Sequence, residues 1–545
     1  MSENEWLRTH IRQVHMDFHM PEFPREAIRN FDAASFVSHL LRGKINMVAL
    51  FAKCHFGNSF YDTEVGHKHS GLPGDFLRES AEECRKHDIR TVAYYSLCCD
   101  RHAYECYPHW RVCGADGEPL PIRGPWGPVC INTPYREELA LPQLEEIARD
   151  YPVDGYFIDI PFPPGRRECY CRYCRERFRL MYGRDLDESV PAVERQAFIQ
   201  NSTARFLREL RGIIERHNPD LKIITNCAWR LEAARTFSEQ SHYGVWESQP
   251  HSNYLSHSFA TRTVRTYDVP VQVMSVRFYQ GWGDLTLKPT AQMRTEFAAM
   301  IGNGGVASSG DQVNVDGTLQ PAVYDMFADA FGFVEEREKI LLGSESVRDT
   351  AILAPVPCRD RPAPEAVGPA MQGAHKALVE SHVQFDILSA LDIDRIDDYK
   401  RLVLTEPCDF APEVFPRLRE WVANGGVLVA AGSSLLTTEN RFELEDVFGI
   451  EYLEPSVFSV SHFRPRDRVR GATAELALQC RGRSLKVVPR GAEVLADYIY
   501  PQIEQTDRYA FRNPACPPPS SEPSPYPFAT VNTFGEGRAV YVAGS

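Results

Sequence analysis

Three cysteines fall within six residues at Cys169-Tyr-Cys171-Arg-Tyr-Cys174. A short turn in such a C-x-C-x-x-C segment can bring its thiolates onto one soft metal ion. A tetrahedral site needs a fourth sulfur, and the candidates upstream are Cys113 and Cys130. Cys130 sits just before the helix that leads into the fourth expected strand, and the knot follows that strand. The two segments are therefore expected as neighbouring loops, which favours Cys130. Four thiolates close the coordination shell, so zinc bound there is expected to be structural rather than catalytic. No organic cofactor is expected, because neither G-x-G-x-x-G nor G-x-x-x-x-G-K-S/T occurs, and Gly425-Gly426 and Ala431-Gly-Ser read as tight turns.

Carboxylates are the second group with chemistry in them. Asp159 follows the apolar run Tyr156-Phe-Ile, and Glu247 closes Tyr243-Gly-Val-Trp246, so both end expected strands. Two carboxyl groups on either side of one carbon can act as nucleophile and as general acid and base, which is the requirement for cleaving a glycosidic bond. Each also has a structural reading. Asp159 could cap the following loop, and Glu247 could pair with Arg230 or Arg277. Asp17, Asp311 and Glu296 are competing acids, the last of them inside a helical pattern.

These residues need a frame, and the sequence supplies one up to about residue 342. Eight short apolar runs alternate with helical stretches: Ile11–Phe18, Ile45–Phe51, Ile89–Ser96, Gly155–Ile160, Leu221–Asn226, Tyr243–Glu247, Val271–Arg277 and Gly305–Ser309. Between them, segments such as Phe76–His87 carry apolar residues at three- and four-residue spacing with a charged opposite face. Eight strands with interleaved helices predict a (β/α)8 TIM barrel, whose chemistry lies at the C-terminal strand ends. His15, Asp17, His19, His55, Tyr95, Asn226, Arg230, Trp246, Arg277 and Trp282 all fall at those ends. Aromatic faces to stack on, together with donors and acceptors for hydroxyls, suit an oligosaccharide or other glycoside.

From residue 343 to 545 a second domain is expected. Apolar strands at Ala351, Phe385, Arg401 and Gly426 alternate with helices over Met371–Ser381 and Pro412–Asn424, the pattern of a flavodoxin-like doubly wound α/β layer. A β-rich insertion is expected around 455–530, where the Pro/Ser-rich stretch Asn513–Pro527 reads as an extended loop, before a last strand-like run from Gly537. Lys and Arg number 60 against 74 Asp and Glu, a net charge of −14 that argues against nucleic-acid or membrane partners. Fifteen cysteines in 545 residues are too sparse for a disulfide scaffold, and the N-terminus lacks an apolar signal core. A reducing cytoplasm is the expected setting.

In their order along the chain these segments resemble α-L-fucosidases. Phe51-Ala-Lys-Cys-His-Phe-Gly is similar to their K-H-H-D-G-F segment, with Cys54 standing for the first histidine. Tyr94-Tyr-Ser, Val245-Trp-Glu-Ser, Gly281-Trp-Gly and Ile301-Gly-Asn-Gly-Gly with Asp316-Gly-Thr resemble further segments of those enzymes. The resemblance implies a retaining, exo-acting enzyme with Asp159 as nucleophile, and Glu247 as its acid/base. Cys130-x-x-x-Pro-Tyr-Arg with the cysteine knot is similar to the zinc site of family 42 β-galactosidases, and residues 345–545 resemble their trimerisation domain. A fucosidase-like barrel joined to that domain resembles the family 151 α-L-fucosidases and the related hypothetical glycosyl hydrolases 6, and implies a homo-oligomer, a trimer. A β-galactosidase is the second expectation. It ranks lower because strand four ends in Asp-Ile-Pro rather than the Asn-Glu pair of the galactosidases. A sugar-binding homologue without activity is the third.

Overall fold

The structure is a computed structural model. It describes the chain apart from residues 1–5, 23–27, 164–167, 227–242, 248–253, 268–269, 280, 284, 356–367, 407–409, 438, 470, 472–475, 503–516 and 545, and apart from the side chains of residues 193, 243–247 and 271. The chain divides into two compact units, Met1–Ser346 and Val347–Ser545.

The first unit is a closed barrel of eight parallel strands: β1 (Arg12–Asp17), β2 (Met47–Lys53), β3 (Arg90–Ser96), β4 (Gly155–Asp159), β5 (Lys222–Thr225), β6 (Tyr243–Glu247), β7 (Val271–Val276) and β8 (Val306–Gln312). Each pairs with the next in sequence, and β1 closes the ring by pairing with both β8 and β2. All eight expected strands are present. Both strand faces are covered, so these strands read as continuous apolar runs, and every residue of β2 is buried.

The jacket includes α1 (Ala33–Arg42), α2 (Phe76–Arg85), α3 (Leu141–Asp150), α4 (Arg172–Tyr182), α5 (Ala192–His217), α6 (Ser256–Val264), α7 (Thr290–Ile301) and α8 (Pro321–Glu335). Local chemistry sets several of their starts. The Asp32 carboxylate accepts from the Ser35 N–H at the head of α1, and Asp75 accepts from Arg78 N–H at the head of α2. Phe76, Leu77, Ser80, Ala81 and Cys84 then form one buried stripe along α2. Among the described residues no helix is long and apolar enough to cross a membrane, and every described cysteine is a free thiol.

The second unit is built on β9 (Thr350–Ala354), β10 (Phe385–Ser389), β11 (Arg401–Leu404) and β12 (Val427–Ala431), with α9 (Pro369–Glu380) and α10 (Val414–Ala423) among its helices. An antiparallel stretch follows: β13 (Ile450–Pro455), β14 (Val460–Pro465), β15 (Leu478–Arg481), β16 (Leu485–Pro489), β17 (Glu493–Ile499) and β18 (Pro527–Phe534). The final strand, β19 (Gly537–Val542), lies parallel to β12 and antiparallel to β18. The parallel strands therefore run β10-β9-β11-β12-β19, the 2-1-3-4-5 order of a flavodoxin-like sheet. The last run of the sequence is thus its fifth parallel strand, separated in sequence from the fourth by the antiparallel elements. Gly425 adopts φ +109°, and a Cβ on Gly426 would meet the Trp421 ring at 2.4 Å, as a tight helix-to-strand turn requires.

Gly155 opens β4 because the neighbouring backbone comes too close for anything larger: a Cβ there would lie 2.4 Å from the carbonyl oxygen of Lys222 on β5. The cost of overpacking falls on two strands that cannot move apart. Gly155→Ala is expected to destabilise the protein by about 1–3 kcal/mol. Gly373→Ala, in α9 where a Cβ meets nothing within 4 Å, should be neutral or stabilising. Thermal unfolding of the two variants side by side checks the contrast.

Candidate active site

Alternation along the strands decides which residues reach the barrel interior. Phe51 on β2 and Tyr94 on β3 are paired in register and stack face to face, 3.8 Å apart with an interplanar angle of 5°. The Phe157 ring of β4 lies 5.7 Å from that of Tyr94. His15 of β1 is enclosed by Phe51, Tyr94, Phe157 and Trp282, with ring centroids 4.9 to 5.6 Å away. Burial pushes the His15 imidazole down to about 3, so it is neutral. Its Nδ1 is buried and has no hydrogen-bond partner among the described residues. Trp282 reaches this cage because β8 carries Gly310, where a Cβ would stand 2.1 Å from the indole.

Asp159 is the last residue of β4, almost fully buried on top of this aromatic floor. The Tyr94 hydroxyl donates to its Oδ2, and the Asn226 amide, just past β5, donates to Oδ1 at 2.6 Å. Two donors on the buried carboxylate fix its orientation while leaving lone pairs for a further partner. His55 Nε2 lies 3.8 Å from Oδ2. The His55 ring stacks on His19 at 3.8 Å and leans on Trp126 at 4.5 Å. Its Nδ1 is 2.6 Å from Ser96 Oγ. Burial first, then His19, Lys53 and His15, lower its pKa well below the usual histidine value. Asp17 accepts from the His19 backbone N–H at 3.0 Å and lies 3.8 Å from His19 Nε2. The arrangement is a carboxylate over an aromatic floor, beside a stacked imidazole pair and a partly exposed indole.

Of the residues singled out in the sequence, His15, Asp17, His19, His55, Asn226, Trp282 and Asp159 are brought to this end of the barrel. Two others are not. Tyr95 faces outward: its hydroxyl donates to Gln143 Oε1 on α3 at 3.0 Å, and Tyr94, one residue earlier, is the one that meets Asp159. Arg277 is nearly fully buried and its Nε donates to Asp311, which also accepts from Tyr324 of α8 at 3.0 Å. That pair braces the strand-to-helix layer, because residues after Val276 and Gly310, which pair in register, point the other way. Glu296 is likewise outside the barrel, accepting from Lys288 at 2.7 Å and Ser275 at 2.6 Å. Glu247 ends β6, paired with Met274 of β7, but its side chain and that of Trp246 lie outside the described residues, as does Arg230.

Sequence reasoning missed Tyr94, Ser96 and Trp126. The first two flank Tyr95 in the same motif, and because every residue from Thr91 to Ser96 is buried, no alternation separates them in the sequence. Trp126, 37% exposed, sits in the turn Gly124-Pro-Trp-Gly between β3 and α3 and carries no strand signal.

Cys130, Cys169, Cys171 and Cys174 are all buried, with their sulfurs within 4.8 Å of one another and 3.4 Å between Cys130 and Cys174. Tetrahedral bonds of about 2.3 Å to sulfur put the sulfurs roughly 3.8 Å apart, so the four can hold a metal ion. Asn132 supports them, its amide approaching Cys174 Sγ at 3.3 Å and its backbone N–H approaching Cys130 Sγ at 3.4 Å. Donors of this kind offset thiolate charge, as expected around a metal.

No curated protein matches the chain in sequence. Among solved structures, an α-L-fucosidase isoenzyme 2 from Paenibacillus thiaminolyticus is similar with a TM-score of 0.83 at 24% identity, covering 98% of this chain and 80% of that one. A β-galactosidase from Rahnella sp. R3 gives 0.72 at 17% identity, covering 99% and 87%. The exo-β-1,4-mannosidase Op5Man5 from Opitutaceae bacterium strain TAV5 gives 0.58 at 12%, covering 98% and 91%. These likenesses establish the fold, a TIM barrel. Residues 32–160, the stretch that carries His55, Tyr94, Trp126 and Asp159, match the family model of hypothetical glycosyl hydrolase 6.

Proposed function

We propose that the protein is a glycoside hydrolase, and specifically a retaining exo-acting α-L-fucosidase with Asp159 as nucleophile. The observation that carries this reading is the buried Asp159 carboxylate, held by Tyr94 and Asn226 at the C-terminal end of β4 above an aromatic floor. The similar fucosidase fold and the glycosyl hydrolase match over residues 32–160 support the class of substrate.

In this reading a terminal sugar stands over the Phe51–Tyr94–Phe157 layer, with Trp126 and Trp282 as apolar walls and the His19–His55 pair addressing hydroxyls. One Asp159 oxygen attacks the anomeric carbon as the bond to the leaving oxygen breaks. Glu247 gives that oxygen its proton, then takes a proton from the water that hydrolyses the glycosyl ester and frees Asp159. Tyr94 and Asn226 fix the carboxylate in place, which lowers the entropic part of the barrel chemistry's cost. The four-cysteine cluster would hold zinc with no open position, as a structural clip, and the second unit would serve assembly into a trimer.

Asp159→Ala is expected to lower kcat/KM on an aryl α-L-fucoside by about 10⁴-fold or more. Azide should restore turnover of an activated aryl fucoside by Asp159→Ala and give a fucosyl azide of inverted configuration. Full activity in that variant would remove Asp159 from the mechanism, and preferential cleavage of aryl β-galactosides in a chromogenic panel would favour the galactosidase reading instead. Binding of sugars without hydrolysis of any member would identify a non-catalytic homologue.

Zinc is tested separately. The purified chain should contain one equivalent by elemental analysis, and Cys174→Ser should lose both the metal and several degrees of thermal stability, since breaking a structural site removes binding energy that is coupled to folding.

A further inference from the structure

The donor and acceptor count around His55 has a consequence for the chemistry of the mouth. Ser96 Oγ lies 2.7 Å from the carbonyl oxygen of Cys99. A carbonyl only accepts, so the one Ser96 proton is committed to it. The same Oγ lies 2.6 Å from His55 Nδ1. With its own proton spent, Ser96 can only accept there, so the proton between them must be carried by Nδ1.

We propose that Ser96 is a positioning residue that fixes His55 as the Nδ1–H tautomer, so that bare Nε2 faces Asp159 and accepts a hydrogen bond from a substrate hydroxyl. The proposal rests on the glycosidase reading for the identity of that hydroxyl, but the tautomer itself does not.

Two further features point the same way. Nε2 stands 3.8 Å from Asp159 Oδ2, too far for a direct hydrogen bond. A lone pair facing a carboxylate oxygen across that gap leaves two acceptors opposed, and the arrangement is satisfied when a hydroxyl enters beside them and donates to one. The stacked partner is set the opposite way. The His55 backbone N–H donates to His19 Nδ1 at 3.2 Å, so neutral His19 carries its proton on Nε2. The pair therefore offers one acceptor and one donor side by side, which matches a sugar hydroxyl that gives a proton next to one that receives it.

The groups around His55 favour the neutral ring. Burial opposes a charge on His55, and so does the Lys53 ammonium on β2, itself bonded to Asp100, while His19 and His15 of β1 and its loop stand beside it as neutral rings. Among the described residues the Asp159 carboxylate on β4 faces Nε2 and Asp17 lies against the stacked His19, and the surrounding faces are Tyr94 and Trp126. Protonation of Nε2 would place a donor in front of the Asp159 oxygen and occupy the lone pairs that attack requires.

Nitrogen NMR of the full-length protein labelled at histidine reads the tautomer directly, with the His55 signals identified by their absence in His55→Asn. The expected result is a protonated Nδ1 and a bare Nε2 at pH 7, conversion toward the Nε2–H form in Ser96→Ala, and recovery of Nδ1–H in Ser96→Thr. On the fucoside, Ser96→Ala should raise KM about fivefold or more, the value of one hydrogen bond, with a smaller effect on kcat. A wild-type ring protonated on Nε2, or a tautomer unchanged by Ser96→Ala, would overturn the proposal. If the Nδ1–H form is found and Ser96→Ala abolishes it, the assignment of Ser96 stands even where no glycoside in the panel is cleaved, and it is then the glycosidase reading that fails.

Discussion

Adjacent residues of a strand cannot face the same way, and this constraint sorts the polar residues of the barrel into two populations with different work. One population, His15, Tyr94, Asp159 and Asn226, meets inside the ring. The other points outward and is buried under helices: Tyr95 with Gln143, Arg277 with Asp311 and Tyr324, Lys288 with Glu296 and Ser275. Lys53 joins the outer set through an irregularity in register after Phe51, which brings its ammonium 2.8 Å from Asp100 and 2.7 Å from the Tyr135 hydroxyl. A bulge of this kind re-aims one side chain without disturbing the strand before it.

Ion pairs as buried as these are poor sources of net stability, because desolvation consumes most of the attraction. What they do supply is fixed geometry. Removing one partner would strand the other in an apolar layer at a cost of about 3–5 kcal/mol, so each outer pair holds its strand end and its helix in one relation. Asp100 shows the economy of this arrangement: one carboxylate oxygen takes the Lys53 ammonium and the other caps the short helix Arg101–Cys106 by accepting from Ala103 N–H at 2.8 Å. The next residue after Lys53 and Cys54 is His55, and Arg101 N–H donates to the His55 carbonyl at 3.0 Å. The outer network thereby sets the position of an inner side chain.

The strands were legible because a barrel buries both faces of every strand, so each appears as an unbroken apolar run. The cysteine site was legible because its spacing is short and its residue type rare. Facing was harder to read. In Tyr94-Tyr95 and in Val276-Arg277 the more polar or more reachable residue looked the better candidate, yet facing depends on where pairing begins, and a run apolar on both sides carries no alternation to count from. Trp126 was hidden for a different reason: it belongs to a long connection whose path is set by tertiary contacts, among them Asp100 N–H to the Gly127 carbonyl and Val129 N–H to the Cys98 carbonyl. The final strand was legible as a strand but not as a partner of β12, because the antiparallel strands β13 to β18 lie between the two in sequence.

The cysteine cluster and the mouth of the barrel are linked by this same connection. Cys130 closes the loop after β3 that carries Trp126, and the other three cysteines follow β4, the strand that ends in Asp159. The Cys130 backbone is further tied to Trp110, and Tyr170 to Cys113, so the two rim loops are laced together around the sulfurs. Holding two long loops at fixed ends removes conformational freedom that would otherwise have to be lost when a ligand settles between them. A metal at the cysteines would bear on the mouth of the barrel, because it would hold the segment from which Trp126 reaches the His55 ring beside the strand that presents the carboxylate.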